Sequence, residues 1–84
     1  MPKVDLSEKI PPDAKWVKLQ YEMSPRHPEA ELVARLWSGA MDDAVVIKGR
    51  EGNIMVRLDE PQTIFYQRPV TVELKLKVVA YKVD

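Results

Sequence analysis

Eighty-four residues make room for one domain and one core, and a chain this short buries only about 60 to 65% of the surface its unfolded form exposes. Thirteen Lys plus Arg balance thirteen Asp plus Glu, so the chain carries no net charge and lacks the basic footprint of a duplex-DNA binder. Cysteine is absent, which excludes a disulfide framework, a zinc finger and a thiol nucleophile, and leaves oligomerisation or a larger assembly as the expected support for a thin core.

Residues 1–13 mix charges with Pro2, Pro11 and Pro12 and read as an extended N-terminal arm ahead of a single domain over residues 14–84. The arm's apolar members, Val4, Leu6 and Ile10, suit docking along a sheet edge. The start of the chain has no apolar run fit for a signal peptide, and no stretch reaches the ~20 apolar residues of a membrane span. The expectation is a soluble protein without a membrane partner, with the cytoplasm as its default location.

From Lys15 to Met23 the pattern alternates cleanly, with Val17, Leu19, Tyr21 and Met23 on one face and Trp16, Lys18, Gln20 and Glu22 on the other. That is a half-buried strand, broken by Ser24-Pro25-Arg26-His27-Pro28. Residues 29–38 carry two signals. Pro28, the acidic Glu29 and Glu31, the apolar Leu32, Val33, Leu36 and Trp37, and Gly39 as a stop fit a helix, and local chemistry favours it. Leu32, Ala34 and Leu36 also alternate with Val33, Arg35 and Trp37, as in a strand.

After Asp42-Asp43, the β-branched run 44–48 is expected to meet 54–58 in a hairpin, with Gly49, Gly52 and Asn53 supplying positive-φ positions for the reversal. Asp59-Glu60-Pro61 then turns the chain into a strand over 63–67, which completes a meander. The last segment, 70–83, changes phase. Val70, Val72, Leu74, Leu76 and Val78 share one parity, whereas Val79, Tyr81 and Val83 take the other. Fourteen residues of straight strand would run about 46 Å, against a diameter of about 30 Å for a compact chain of this length. A bulge near Val78-Val79 is therefore expected, freeing the strand's end to serve a second sheet or a neighbouring chain.

No catalytic, cofactor-binding or metal-binding set emerges from the pattern. His27 is the only histidine and sits in a turn, where it reads as a solvated or capping residue. Asp42-Asp43 and Asp59-Glu60 lack the alternating oxygen ligands of a calcium loop and read as turn caps. The glycines of 49–53 match no phosphate-binding pattern. What remains is surface chemistry. Trp16 faces away from the core by its own alternation, and Trp37 does so if 29–38 is a strand, which makes both candidate contact residues unless the arm or a loop folds over them. Arg35, Met55 and Arg57 are the candidate flanks of such a patch.

Several phrases occur in order: Asp5-Leu6-Ser7, Ile10-Pro11-Pro12-Asp13-Ala14-Lys15-Trp16-Val17-Lys18-Leu19, Val56-Arg57-Leu58-Asp59, Phe65-Tyr66, and the closing Val79-Ala80-Tyr81-Lys82. Together they resemble a small β-sandwich module that recurs in bacteriophage tail-fibre and other virion-associated structural proteins. Ala80 stands where that pattern has glycine, and the proline-rich, acidic stretch 26–31 is an insert. The resemblance reverses the local preference over 29–38 in favour of strand, and it carries no catalytic residue. It implies an all-β fold, a small antiparallel sandwich with an extended arm and a long bent last strand, where the alternative was α+β with one helix at 29–38. It also implies a non-enzymatic head-decoration or tail accessory subunit whose partners are copies of itself and other virion proteins. Two rivals stand beside it. One is a carbohydrate-binding module stacking a sugar on Trp16 or Trp37. The other is a single-strand nucleic-acid binder using Phe65, Tyr66 and Arg68, against which the neutral charge argues.

Overall fold

The computed structural model describes residues 3–40 and 44–83. Seven strands carry the regular structure: β1 (Lys3–Asp5), β2 (Trp16–Pro25), β3 (Val33–Trp37), β4 (Val45–Lys48), β5 (Glu51–Arg57), β6 (Thr63–Gln67) and β7 (Val72–Lys82). Among the described residues no helix is long and apolar enough to cross a membrane, and the architecture is all-β. A four-stranded sheet, β1-β6-β3-β4, packs on a three-stranded sheet, β5-β2-β7, with every pairing antiparallel. This is a small β-sandwich.

The alternation in β2 is what builds the core. Val17, Leu19, Tyr21 and Met23 join Ala34 and Leu36 of β3, Ile47 of β4, Val56 of β5 and Ile64 of β6 in one buried cluster. Each fully buried aliphatic side chain stabilises by ~1.5–3 kcal/mol relative to exposure. Net stability of a domain is only about 5–15 kcal/mol, so one such residue is a large share of it. Beyond Met23 the strand runs on to Pro25, opposite Val72, where proline is tolerated as a terminal residue.

Residues 33–37 within the ambiguous segment are strand. β3 lies between β6 and β4, so its backbone must present hydrogen-bonding groups on both sides. A helix would leave both neighbours' ladders unpaired, a cost that outweighs the helix-start signals at Pro28 and Glu29.

The hairpin of 44–48 on 54–58 does not form. β4 pairs with β3 and β5 pairs with β2, so the chain changes sheets between them. The Gly49 N–H donates to the Leu32 carbonyl (3.1 Å) in the larger sheet, and the carbonyl of the very next residue, Arg50, accepts from the Met23 N–H (2.7 Å) in the smaller one. Gly49 turns that corner with φ 90°, a conformation that L side chains rarely adopt. Gly52 and Asn53, by contrast, lie inside β5 without positive φ. The meander fails for the same reason, since β4, β5 and β6 fall in alternate sheets. A glycine-bearing link between two apolar runs fits a hairpin and a sheet crossing equally well. The pairing of Val56 and Ile54 with Val17 and Leu19 is what selects the crossing.

The phase change in the last strand is a bulge. Lys18 faces Ala80 while Leu19 faces Val78, which leaves Val79 as the extra residue. The strand's end does not cross to the second sheet. It stays on β2 as far as Trp16 opposite Lys82. Elongation along the strands, to extents of 41 × 23 × 18 Å, accommodates it.

The arm docks along a sheet edge through β1, whose Val4 stands opposite Ile64. It is not extended throughout. Both Lys9 and Ile10 donate their N–H to the Leu6 carbonyl, and this turn sends Leu6 and Ile10 into the core. Gln62, just ahead of β6, fastens it: its carbonyl accepts from the Leu6 N–H (2.8 Å) and its Nε2 donates to the Ile10 carbonyl (2.9 Å).

Candidate functional site

The five candidate contact residues separate into two places. Trp16, Met55 and Arg57 come together on the outward face of the three-stranded sheet, because Trp16 stands directly opposite Arg57 and Lys18 opposite Met55. With Ser38, Val45 and Asp59 they line a cleft of about 280 Å³. On its other side Trp16 is paired with Lys82 of β7, so the half-buried indole lies between two cationic residues. Arg57 Nε is 3.5 Å from Asp59 Oδ1, in an exposed ion pair.

Trp37 is not a free contact residue. It is only 3% exposed, and its ring stacks on Phe65 with centroids 6.0 Å apart and planes at 20°. It nevertheless stands outside the main apolar cluster, because Ala34 and Leu36 hold the inward parity of β3. The pair is a second, smaller apolar contact on the outward side of the larger sheet. Its signal was present in the sequence only as two aromatics on strands of unassigned order, and the cross-strand register Trp37 to Phe65 is what joins them.

Arg35 lies on the larger sheet and does not line the Trp16 cleft. It is exposed, stands opposite Gln67, and shares with Gln67, Arg68, Val33 and Pro69 an open cleft of about 420 Å³. Arg68 is anchored there by Nη1 donating to the Val72 carbonyl (2.8 Å). Phe65 and Tyr66 point to opposite faces, since Tyr66 is the partner of inward-facing Leu36, so they form no continuous stacking platform for single-stranded bases.

The remaining polar residues serve the fold. His27 Nδ1 accepts from the Glu29 N–H (3.2 Å), a capping contact within the turn. Ser38, buried, both accepts from the Glu60 N–H (2.9 Å) and donates to the Glu60 carbonyl (3.1 Å), tying the end of β3 to the turn before β6. Asp42 and Asp43 lie outside the described residues. Asp5 Oδ1 accepts from the Ser7 backbone N–H (2.9 Å), and this bond, helped by the Ser7 hydroxyl and the Lys3 charge, holds its carboxyl below the ordinary value.

The apolar surface left uncovered concentrates on β7. It is an edge strand, paired only with β2, and beyond the bulge Val79, Tyr81 and Val83 are each about half exposed. Tyr81 stands opposite fully buried Val17 and so holds the inward parity, yet on this edge strand it is left about half exposed. Comparison with protein-family models, with curated proteins and with solved structures found no match for this chain.

Proposed function

We propose that this protein is a non-enzymatic structural or attachment subunit that acts through protein–protein contacts, as a head-decoration or tail accessory component of a bacteriophage virion. The observation that carries the contact role is the β7 edge: an eleven-residue strand with one side unpaired and the apolar Val79, Tyr81 and Val83 uncovered at its end. Open strand edges are templates for association, and natural proteins shield them when they are not used. The virion assignment rests on the resemblance of the Asp5-Leu6-Ser7, Ile10 to Leu19, Val56 to Asp59 and Val79 to Lys82 phrases to the phage sandwich module. Mass spectrometry of particles purified from the source culture tests it, with the chain expected in stoichiometric amounts. Absence from particles overturns the virion assignment. A monomer at every concentration, with no bound partner on particles, overturns the contact role.

A second reading is favoured by one arrangement, the half-buried Trp16 beside Arg57 and Asp59 in a shared cleft. An indole face with polar neighbours is the form of a sugar platform. A glycan array, read with Trp16→Ala as the control, separates the two: sugar binding that is lost in the variant selects this reading, and an array without signal removes it.

A further inference from the structure

The two outward faces of the sandwich carry opposite charge at the same end. On the larger sheet, Arg35 and Lys48 project outward from β3 and β4 and Arg68 follows β6, and among the described residues no carboxylate pairs with any of them. The one ion pair among the described residues is Arg57 with Asp59, elsewhere in the molecule. Glu31, the nearest acid in sequence ahead of β3, makes no ion pair either. Arg68 is held by backbone carbonyls rather than by a countercharge, so its guanidinium is fixed in place with donors to spare.

On the smaller sheet, Glu22 stands directly opposite Glu51, an arrangement of like charges that destabilises a sheet by itself. Glu73 adds a third carboxylate one row further on, opposite Ser24, while Lys75, opposite Glu22, and Lys77, opposite Gln20 in the row behind, offset two of the three, so the acidic cluster is confined to the very end of the sheet. The two clusters share an end of the sandwich. Arg50, at the start of β5, bonds to Met23 near the end of β2, Gly49 bonds to Leu32 ahead of β3, and Arg26 bonds to Thr71 ahead of β7. Arg68 and Thr71 belong to the same short link between β6 and β7.

We infer that a second copy of this chain docks its Glu22–Glu51 face on the Arg35–Arg68 face of the first. Because the two faces are back to back at one end, displacement along the sheet normal brings basic onto acidic without rotation. Such a contact is heterologous: each copy uses two different surfaces, and association continues as a stack or closes as a ring. Carboxylates meeting guanidiniums give charge-assisted hydrogen bonds, and the basic face relieves the repulsion between Glu22 and Glu51. This inference rests on the proposal that the protein acts through protein–protein contacts, and it adds the two sheet faces to the β7 edge as contact surfaces.

Sedimentation velocity on the full chain tests it with two neutralised variants, R35Q/K48Q and E22Q/E51Q, whose exposed positions leave the core and the Arg68–Val72 hydrogen bond untouched. Wild-type protein is expected to sediment above monomer mass at low ionic strength and to dissociate as salt is raised. Each variant alone keeps one competent face and stays monomeric. Their equimolar mixture forms a one-to-one pair and stops there, because the pair exposes only the two neutralised faces. A wild-type monomer at low salt, self-association in either variant, or a mixture that does not pair overturns the inference. A wild-type monomer that is still found on particles overturns it alone and leaves the proposed function standing.

Discussion

Tyr21 and Gly52 face each other across β2 and β5, and the tyrosine ring fills the space where a side chain at Gly52 would begin: a Cβ there would sit 2.6 Å from Oη and 2.8 Å from Cζ. The same hydroxyl donates to the Lys48 carbonyl (3.0 Å) in the opposite sheet, beside the corner where the chain crosses. Gly52→Ala is expected to destabilise by about 1–3 kcal/mol through overpacking. Tyr21→Phe loses the hydrogen bond and costs about 1 kcal/mol. Urea unfolding of both, and of Gly52→Ala in a Tyr21→Leu background, checks the account. The alanine should cost far less once the ring is gone.

Ser38 and Gly39 form the second clamp between distant segments. Ser38→Ala leaves both the N–H and the carbonyl of Glu60 without their partner, and the expected loss is about 1–3 kcal/mol. Gly39 has φ 79°, and a Cβ on it would lie 2.8 Å from the Asp59 Cβ. Gly39→Ala is therefore expected to cost at least as much, by strain as well as by contact. Thermal unfolding ranks the two, and a neutral result for either removes the clamp.

Val79 is the extra residue of the bulge, so its deletion preserves every pairing around it, Lys18 with Ala80 and Leu19 with Val78. The shortened protein is expected to keep the fold, with stability changed by no more than ~1 kcal/mol and one exposed valine fewer. Cross-strand nuclear Overhauser contacts between residues 18 and 80 give the readout. Their loss, with Ala80 turned inward, would show that the bulge sets the register instead of adjusting to it.

Asp5 supplies a pH dependence. Its pKa is lower folded than unfolded, mainly because the Ser7 N–H bonds to the ionised form. Its contribution is thus complete above the unfolded value and is lost as pH falls through the folded one. The Ser7 amide resonance is expected to titrate with a midpoint below that of an ordinary aspartate, and Asp5→Asn to abolish the transition. A midpoint at the ordinary value would remove the bond as its cause.

The strands themselves were legible because their periodicity is local. Val17 to Met23 announces β2, and the parity change after Val78 announces the bulge. Sheet membership was not legible. Runs 44–48 and 54–58 have the same composition whether they pair with each other or with β3 and β2, and only tertiary partners distinguish the cases. The contact residues divide in the same way. Trp16, Met55 and Arg57 converge because β2 and β5 are neighbours, Arg35 is carried to the other face, and Trp37 is buried by a partner, Phe65, that sequence spacing does not identify.

The crossing at Gly49-Arg50 has a kinetic consequence. Because successive strands alternate between sheets at most steps, no stretch of fewer than six consecutive strands contains a complete sheet, and β1 and β7, at opposite ends of the chain, each close an edge. Local segments therefore gain little until distant ones arrive, which places folding in the slow, milliseconds-to-seconds range of β-sandwiches. It also makes the transition all-or-none. A chain cut anywhere between β2 and β6 loses strands from both layers at once, so each half should be unstructured alone and recover structure only when the two are mixed.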